Sequence, residues 1–158
     1  MSIFPTRILL ATDGSEEAEL ALSTAVNLAT STNSELHVVT GREYHPSYDI
    51  PEYGGQLEEA LRRLQQQAQE VLDGQVKQVE VAGGTVAEGH LRIGGRPDQE
   101  IVRLSEEIGA GLIVVGSRGL GGLRRTLMGS ISDSVVRHAH CPVLVVRPDK
   151  DADNGPRF

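Results

Sequence analysis

The chain has no tryptophan, three tyrosines, two phenylalanines and a single cysteine in 158 residues, and each shortage closes a class of function. With aromatics at 3%, there is no supply of rings on which successive bases could stack, as single-strand nucleic-acid binders require. The lone thiol, Cys141, excludes an internal disulfide and any cysteine-rich zinc site. It precedes Pro142 and the run Val143-Leu144-Val145-Val146, where a small buried hydrophobe at a strand entrance explains it better than a reactive thiol. Lysine is nearly missing as well, with Lys77 and Lys150 alone. A formal net charge of −7 argues against a general nucleic-acid surface, which relies on concentrated Lys and Arg. No run approaches the ~20 apolar residues of a membrane span. The opening Met1-Ser2-Ile3-Phe4-Pro5-Thr6-Arg7 lacks the basic segment, apolar run and cleavage site of a secretion signal. The expectation is a cytoplasmic protein whose partners include neither nucleic acid nor membrane.

What is present is alternation. Four continuous apolar runs read as buried strands: Ile8-Leu9-Leu10-Ala11, Leu36-His37-Val38-Val39, Leu112-Ile113-Val114-Val115 and Val143-Leu144-Val145-Val146. Apolarity that is continuous predicts a parallel sheet covered on both faces. A fifth, more polar strand is expected within Thr85 to Ile93. Helical spacing fills the intervals. Ser15 can cap a helix with Glu16 and Glu17 in its first turn and an apolar face through Ala18, Leu22, Ala25 and Ala29. A second helix carries Leu57, Leu61, Leu64, Ala68 and Val71 on one face. A third follows Pro97 and buries Ile101, Leu104 and Ile108. The last begins near Ser130 and turns Ile131, Val135 and Ala139 inward. These elements predict one α/β domain over residues 1–148, a doubly wound, five-stranded parallel sheet flanked by about four helices, Rossmann-like, with strand order 3-2-1-4-5. Residues 149–158 read as a short polar tail, and Arg42 to Gly55 as a long polar loop, either a lid or a mobile insertion.

In such sheets ligands bind beyond the carboxyl ends of the strands, where the strand order reverses. That selects Asp13-Gly14-Ser15, Val38-Val39-Thr40-Gly41 and the segment from Gly116 to Gly129. The last holds the strongest signal. Val114-Val115-Gly116-Ser117-Arg118-Gly119, followed after nine residues by Gly129-Ser130, reads as strand, glycine loop and helix start. Glycines let backbone approach an anion, and the helix start offers unsatisfied N–H groups at its positive end. Ser130 and Ser132 can add hydroxyl donors, with helix capping by Ser130 the structural alternative. The loop is not a Walker P-loop, which ends in Gly-Lys-Ser or Gly-Lys-Thr, nor a dinucleotide fingerprint, which opens the first strand–helix turn. Asp13 can hold a ribose hydroxyl or the Mg²⁺ of a triphosphate; an Asx turn or a cap is its structural alternative.

This constellation resembles the ATP-binding branch of the universal stress protein family. Its hallmark, Gly-x2-Gly-x9-Gly-(Ser/Thr), is met by Gly116, Gly119, Gly129 and Ser130. Ile8-Leu9-Leu10-Ala11-Thr12-Asp13-Gly14-Ser15, the Leu36-His37-Val38-Val39 strand, Gly95-Arg96-Pro97 and Cys141-Pro142-Val143-Leu144-Val145-Val146 also match. The resemblance implies that Asp13 contacts ribose or metal, that the Val38 backbone holds adenine, and that Gly116, Gly119, Gly129, Ser130, Ile131 and Ser132 surround triphosphate and ribose. Thr12, Val115 and Arg118 complete the expected cofactor set, with Arg124 and Arg125 as further phosphate candidates. It implies ATP with Mg²⁺ or Mn²⁺ as cofactor, and a homodimer through the strand Val143 to Arg147. The function expected is a regulatory or sensor module with slow or no hydrolysis and an unidentified protein partner. A nucleotide-independent dimeric scaffold is the first alternative. A nucleotidyltransferase or ATP pyrophosphatase is the second, and it lacks its His-x-Gly-His or Ser-Gly-Gly-x-Asp-Ser signature here.

Overall fold

Ile8, Leu9 and Leu10 are each completely buried, and three successive buried side chains on one strand require cover above and below it. The computed structural model, which describes residues 2–44, 56–117 and 129–148, supplies that cover. The elements run β1 (Arg7–Ala11), α1 (Glu16–Thr32), β2 (Glu35–Glu43), α2 (Gln56–Val81), β3 (Val86–Gly94), α3 (Pro97–Ile108), β4 (Leu112–Gly116), α4 (Ser130–His138) and β5 (Val143–Val146). The five strands form one sheet in the order β3-β2-β1-β4-β5, and every neighbouring pair is parallel. The expected fold and strand order are thereby confirmed.

Alternation along the strands divides the core in two. Ile8, Leu10, Leu36, Val38 and Val114 meet Ala21, Leu22, Ala25 and Val26 of α1 and Leu72 and Val79 of α2. Leu9, Val39, Ile113 and Val115 meet Ile101 and Leu104 of α3 and Val135 of α4. Each fully buried side chain of this size is worth about 1.5–3 kcal/mol relative to exposure. α1 begins as its sequence predicts: Ser15 Oγ accepts the Ala18 N–H at 3.3 Å, and Glu16, Glu17 and Glu19 occupy the first turn, where negative charge suits the dipole.

Several boundaries differ from those read in the sequence. β2 runs on to Glu43, so Thr40, Gly41 and Arg42 are strand and not loop; β3 supplies ladder partners as far as Glu43↔Gly94. The expected fifth strand is present as Val86–Gly94. In α2 the buried stripe is Leu64, Ala68, Leu72, Gln75 and Val79, whereas Leu57 is exposed. The helix is 26 residues long, and its stripe follows the helical repeat through Leu72. Val71 instead packs on Gly14 at the tip of β1. In α4 the inward positions are Ser132 and Val135, and Ile131 is exposed. The helix starts at Ser130, which puts Ser132, three residues before Val135, on the buried side. β5 ends at Val146, one residue before the expected limit. The polar tail, and residues 45–55 of the segment read as a loop from Arg42 to Gly55, lie outside the described residues.

Candidate functional site

Two strand ends stand level at the middle of the sheet. Ala11 of β1 pairs with Val115 of β4, so Thr12 and Asp13 emerge beside Gly116 and Ser117. From here β1 leads into α1 on one face and β4 leads toward α4 on the other. This divergence opens a crevice at the switch of strand order.

On the β1 side every residue is tied down. The Thr12 N–H donates to the Val39 carbonyl at 3.0 Å, and the buried Thr12 hydroxyl donates to Gln75 Oε1 of α2 at 2.8 Å. The same hydroxyl oxygen accepts the Gly14 N–H at 3.2 Å. Gly14 has φ +79°, and a Cβ there would stand 2.9 Å from Val71 Cγ1, so this turn requires glycine on two counts. Asp13 Oδ1 accepts the Ser15 N–H at 2.9 Å. This is the Asx turn named above as the structural alternative, and it fixes the carboxylate at the crevice.

On the β4 side the segment 118–128 begins and ends at one carbonyl. The Ser117 N–H donates to Val146 O at 2.9 Å, and Ser117 O accepts the Gly129 N–H. Ser132 Oγ donates to the same carbonyl at 3.0 Å and lies 3.1 Å from Gly129 O. Ser132, expected to reach phosphate, is buried and its hydroxyl closes this clasp. The N-cap of α4 is Gly129, with no side-chain cap, so Ser130 is not the cap but the first, exposed helical residue. A start of this kind leaves backbone donors and the positive dipole end available to an anion. Arg118, Gly119, Arg124 and Arg125 lie outside the described residues.

Val38, whose backbone the family pattern places against adenine, sits well within the sheet. It lies inside β2 with Leu10 and Gly89 as register partners, and its side chain is fully buried. Because Thr12 already bonds Val39, the part of β2 that stands clear of β1 begins at Thr40. Thr40 is 1% exposed, and its hydroxyl has no hydrogen-bond partner among the described residues. A buried unsatisfied hydroxyl costs about 1–3 kcal/mol. Sequence reasoning placed Thr40 in a ligand-facing segment without a role, and passed over Gln75, whose signal was a lone amide in an otherwise apolar helical stripe.

Below the crevice a second polar group joins the helices of one face. Asp98, in the first turn of α3 and 6% exposed, accepts from Ser134 Oγ of α4 at 2.6 Å and pairs with Arg96 at 3.0 Å. Burial works to raise the Asp98 pKa, but the Ser134 hydrogen bond and the Arg96 charge outweigh it and hold the carboxyl below its ordinary value.

The comparisons agree with this architecture. The universal stress protein family model matches residues 5–147. A Staphylococcus aureus (strain USA300) universal stress protein is 38% identical over 146 residues, covering 90% of this chain and 84% of that protein. The crystal structure of a universal stress protein in complex with cAMP has TM-score 0.68 and 26% identity, covering 91% of this chain and 98% of that one. A family member from Burkholderia pseudomallei superposes with TM-score 0.70 at 26% identity, covering 94% and 100%. The chain belongs to the universal stress protein family.

Proposed function

We propose that this protein binds an adenine nucleotide, ATP with Mg²⁺ or Mn²⁺, in the crevice between β1 and β4, and acts as a regulatory or sensor module with slow or no hydrolysis. The observation that carries the reading is the α4 start, glycine-capped and without a capping side chain, set beside the carboxylate of Asp13 at the switch of strand order. An uncapped helix start favours phosphate, and a fixed carboxylate favours ribose or a phosphate-bound cation. The unpartnered Thr40 hydroxyl adds a buried polar atom beside Thr12 that a polar ligand would satisfy. A relative in complex with cAMP supports the adenine nucleotide class.

In this reading Gly116, Gly129, Ser130 and Ile131 present backbone to the phosphates, joined by Arg118 and Gly119. Thr12, Asp13, Val115 and the β2 segment from Val38 onward flank the nucleoside. Ser132 acts indirectly, by holding Gly129 against Ser117. Slow or absent turnover follows from the chemistry available, because hydrolysis needs a positioned base and a cation clamp at the γ-phosphate, and Asp13 is the single carboxylate of the proposed set. A homodimer through β5 and a protein partner read by nucleotide state complete the proposal. The test is to identify nucleotide released from freshly purified, acid-denatured protein and to melt the protein with ATP and Mg²⁺. Saturation at about 100 times the dissociation constant should add ~2.7 kcal/mol, or about 5–10 °C for a chain of this size. No released nucleotide together with an unmoved melting curve would overturn the assignment.

A further inference from the structure

β2 and β3 carry an irregularity whose effect is chemical. Leu36 pairs with Val86, but the next residue, His37, pairs with Glu88, and Ala87 is left over. Such bulges re-aim side chains. Without it, Ala87 and Gly89 would stand opposite His37 and Val39. With it, Glu88 and His90 occupy those places, on the sheet face that α3 covers.

The result is that His37, Glu88 and His90 offer one ligand atom each, all within 4.8 Å of one another. His37 Nδ1 and His90 Nε2 are 3.2 Å apart. The ring centroids are 5.4 Å apart, with planes 20° from parallel, and the two facing nitrogens share a hydrogen bond whose proton an ion bridging them would replace. Two imidazoles on one tetrahedral Zn²⁺, at metal–nitrogen distances of about 2.0–2.1 Å, hold their nitrogens roughly 3.3 Å apart. Glu88 Oε2 lies 3.9 Å from His90 Nε2, and its side chain, 65% exposed, can rotate inward. Outside the trio, His37 Nε2 meets Glu35 Oε2 at 3.4 Å. A carboxylate in that position orients a ligating imidazole and raises its basicity. Of the nearby cations, Arg92 is engaged by Glu107 at 2.7 Å and faces Glu100 at 3.9 Å, and Arg7 pairs with Glu35 at 3.1 Å.

We infer that His37, His90 and Glu88 form a binding site for a divalent transition metal of the Zn²⁺ class, with water in the remaining position and Glu35 supporting His37. The buried His37 and half-buried His90 lie beside the exposed carboxylates of Glu35 and Glu88. The site lies on β2 and the edge strand β3, apart from the crevice between β1 and β4, and stands whether or not nucleotide binds there.

The test uses the full chain, stripped with a chelator and titrated with ZnCl₂ by calorimetry and with CoCl₂ by visible absorption. One equivalent per chain should bind, with the intense ligand-field bands of low-coordinate Co²⁺. His90→Gln should abolish that spectrum, and Glu88→Gln, at an exposed position where folding is not at stake, should weaken binding at least tenfold. Glu35→Gln should lose about 10–100-fold, as supporting carboxylates do. His140→Gln, at the separate pair with Glu106, should change nothing. Absence of stoichiometric binding, or binding that survives both His90→Gln and Glu88→Gln unchanged, would overturn the site.

Discussion

One hydroxyl separates Thr40 from the valines before it on β2, and that hydroxyl is buried without a partner among the described residues. Thr40→Val keeps shape and β-branching while removing the unsatisfied group. Urea titration of the ligand-free variant should show a gain of about 1 kcal/mol, and ATP affinity should fall. A variant less stable than the parent would mean the hydroxyl already has a role in the empty protein. Gly129 tests the other side of the crevice. Its φ of −64° and ψ of 155° are open to any L residue, so Gly129→Val is not strained by backbone. Exchanging glycine for valine at an N-cap costs about 1 kcal/mol or less. The expected result is a small drop in melting temperature and loss of the ATP-induced rise; a full rise would remove Gly129 from the site. At this scale the sequence was partly legible. Gly129 stands out as a glycine opening a helix, and Asp13 as a carboxylate just past the end of β1. Ser132 donates its hydroxyl to the Ser117 carbonyl, a use the sequence does not announce, because one type of side chain serves both a phosphate and a neighbouring carbonyl.

Asp98 joins helices α3 and α4 near their starts through Ser134. Its folded pKa lies below the ordinary 3.8, which sets the sign of its effect. The contribution is fully present above about pH 4 and is lost as pH falls through the depressed folded value. Asp98→Asn should therefore lose about 1–3 kcal/mol at neutral pH and show a shallower loss of stability below pH ~4. Denaturant titrations across that range decide it, and an unchanged acid limb would remove Asp98 from the account. Elements were the most legible level of this chain. Continuous apolar runs announced four strands and their parallel pairing. Ends were less so: β2 continues through Thr40, Gly41, Arg42 and Glu43 because β3 provides ladder partners, a tertiary fact that polar composition hides. The leftover Ala87 is likewise invisible in sequence, since a register shift depends on two strands at once.

For the molecule as a whole, the open edge at β5 sets the question of assembly. Pro142 O and Val146 O accept from Ile113 and Ser117 of β4, so strand alternation turns the N–H groups of Val143 and Val145 away from the sheet. An apolar edge with outward donors invites a second strand. In the dimer proposed above, Val145→Pro removes one outward donor without touching the β4 ladder, a position where an edge strand tolerates proline. Light scattering should find the parent at twice the mass of the chain and this variant as a monomer. Equal masses would place any interface elsewhere. No helix among the described residues is long and apolar enough to cross a membrane.

The clasp at Ser117 carries a different kind of consequence. Because Gly129 and Ser132 both fasten onto the Ser117 carbonyl, the described residues on either side of 118–128 are pinned together at a single point. Between chain ends held together in this way, added or removed length costs only logarithmically, about 0.6 kcal/mol per doubling. Descendants of this sequence are thus at liberty to lengthen, shorten or rewrite 118–128 while the sheet beneath stays as it is, so ligand preference and fold can evolve on separate clocks.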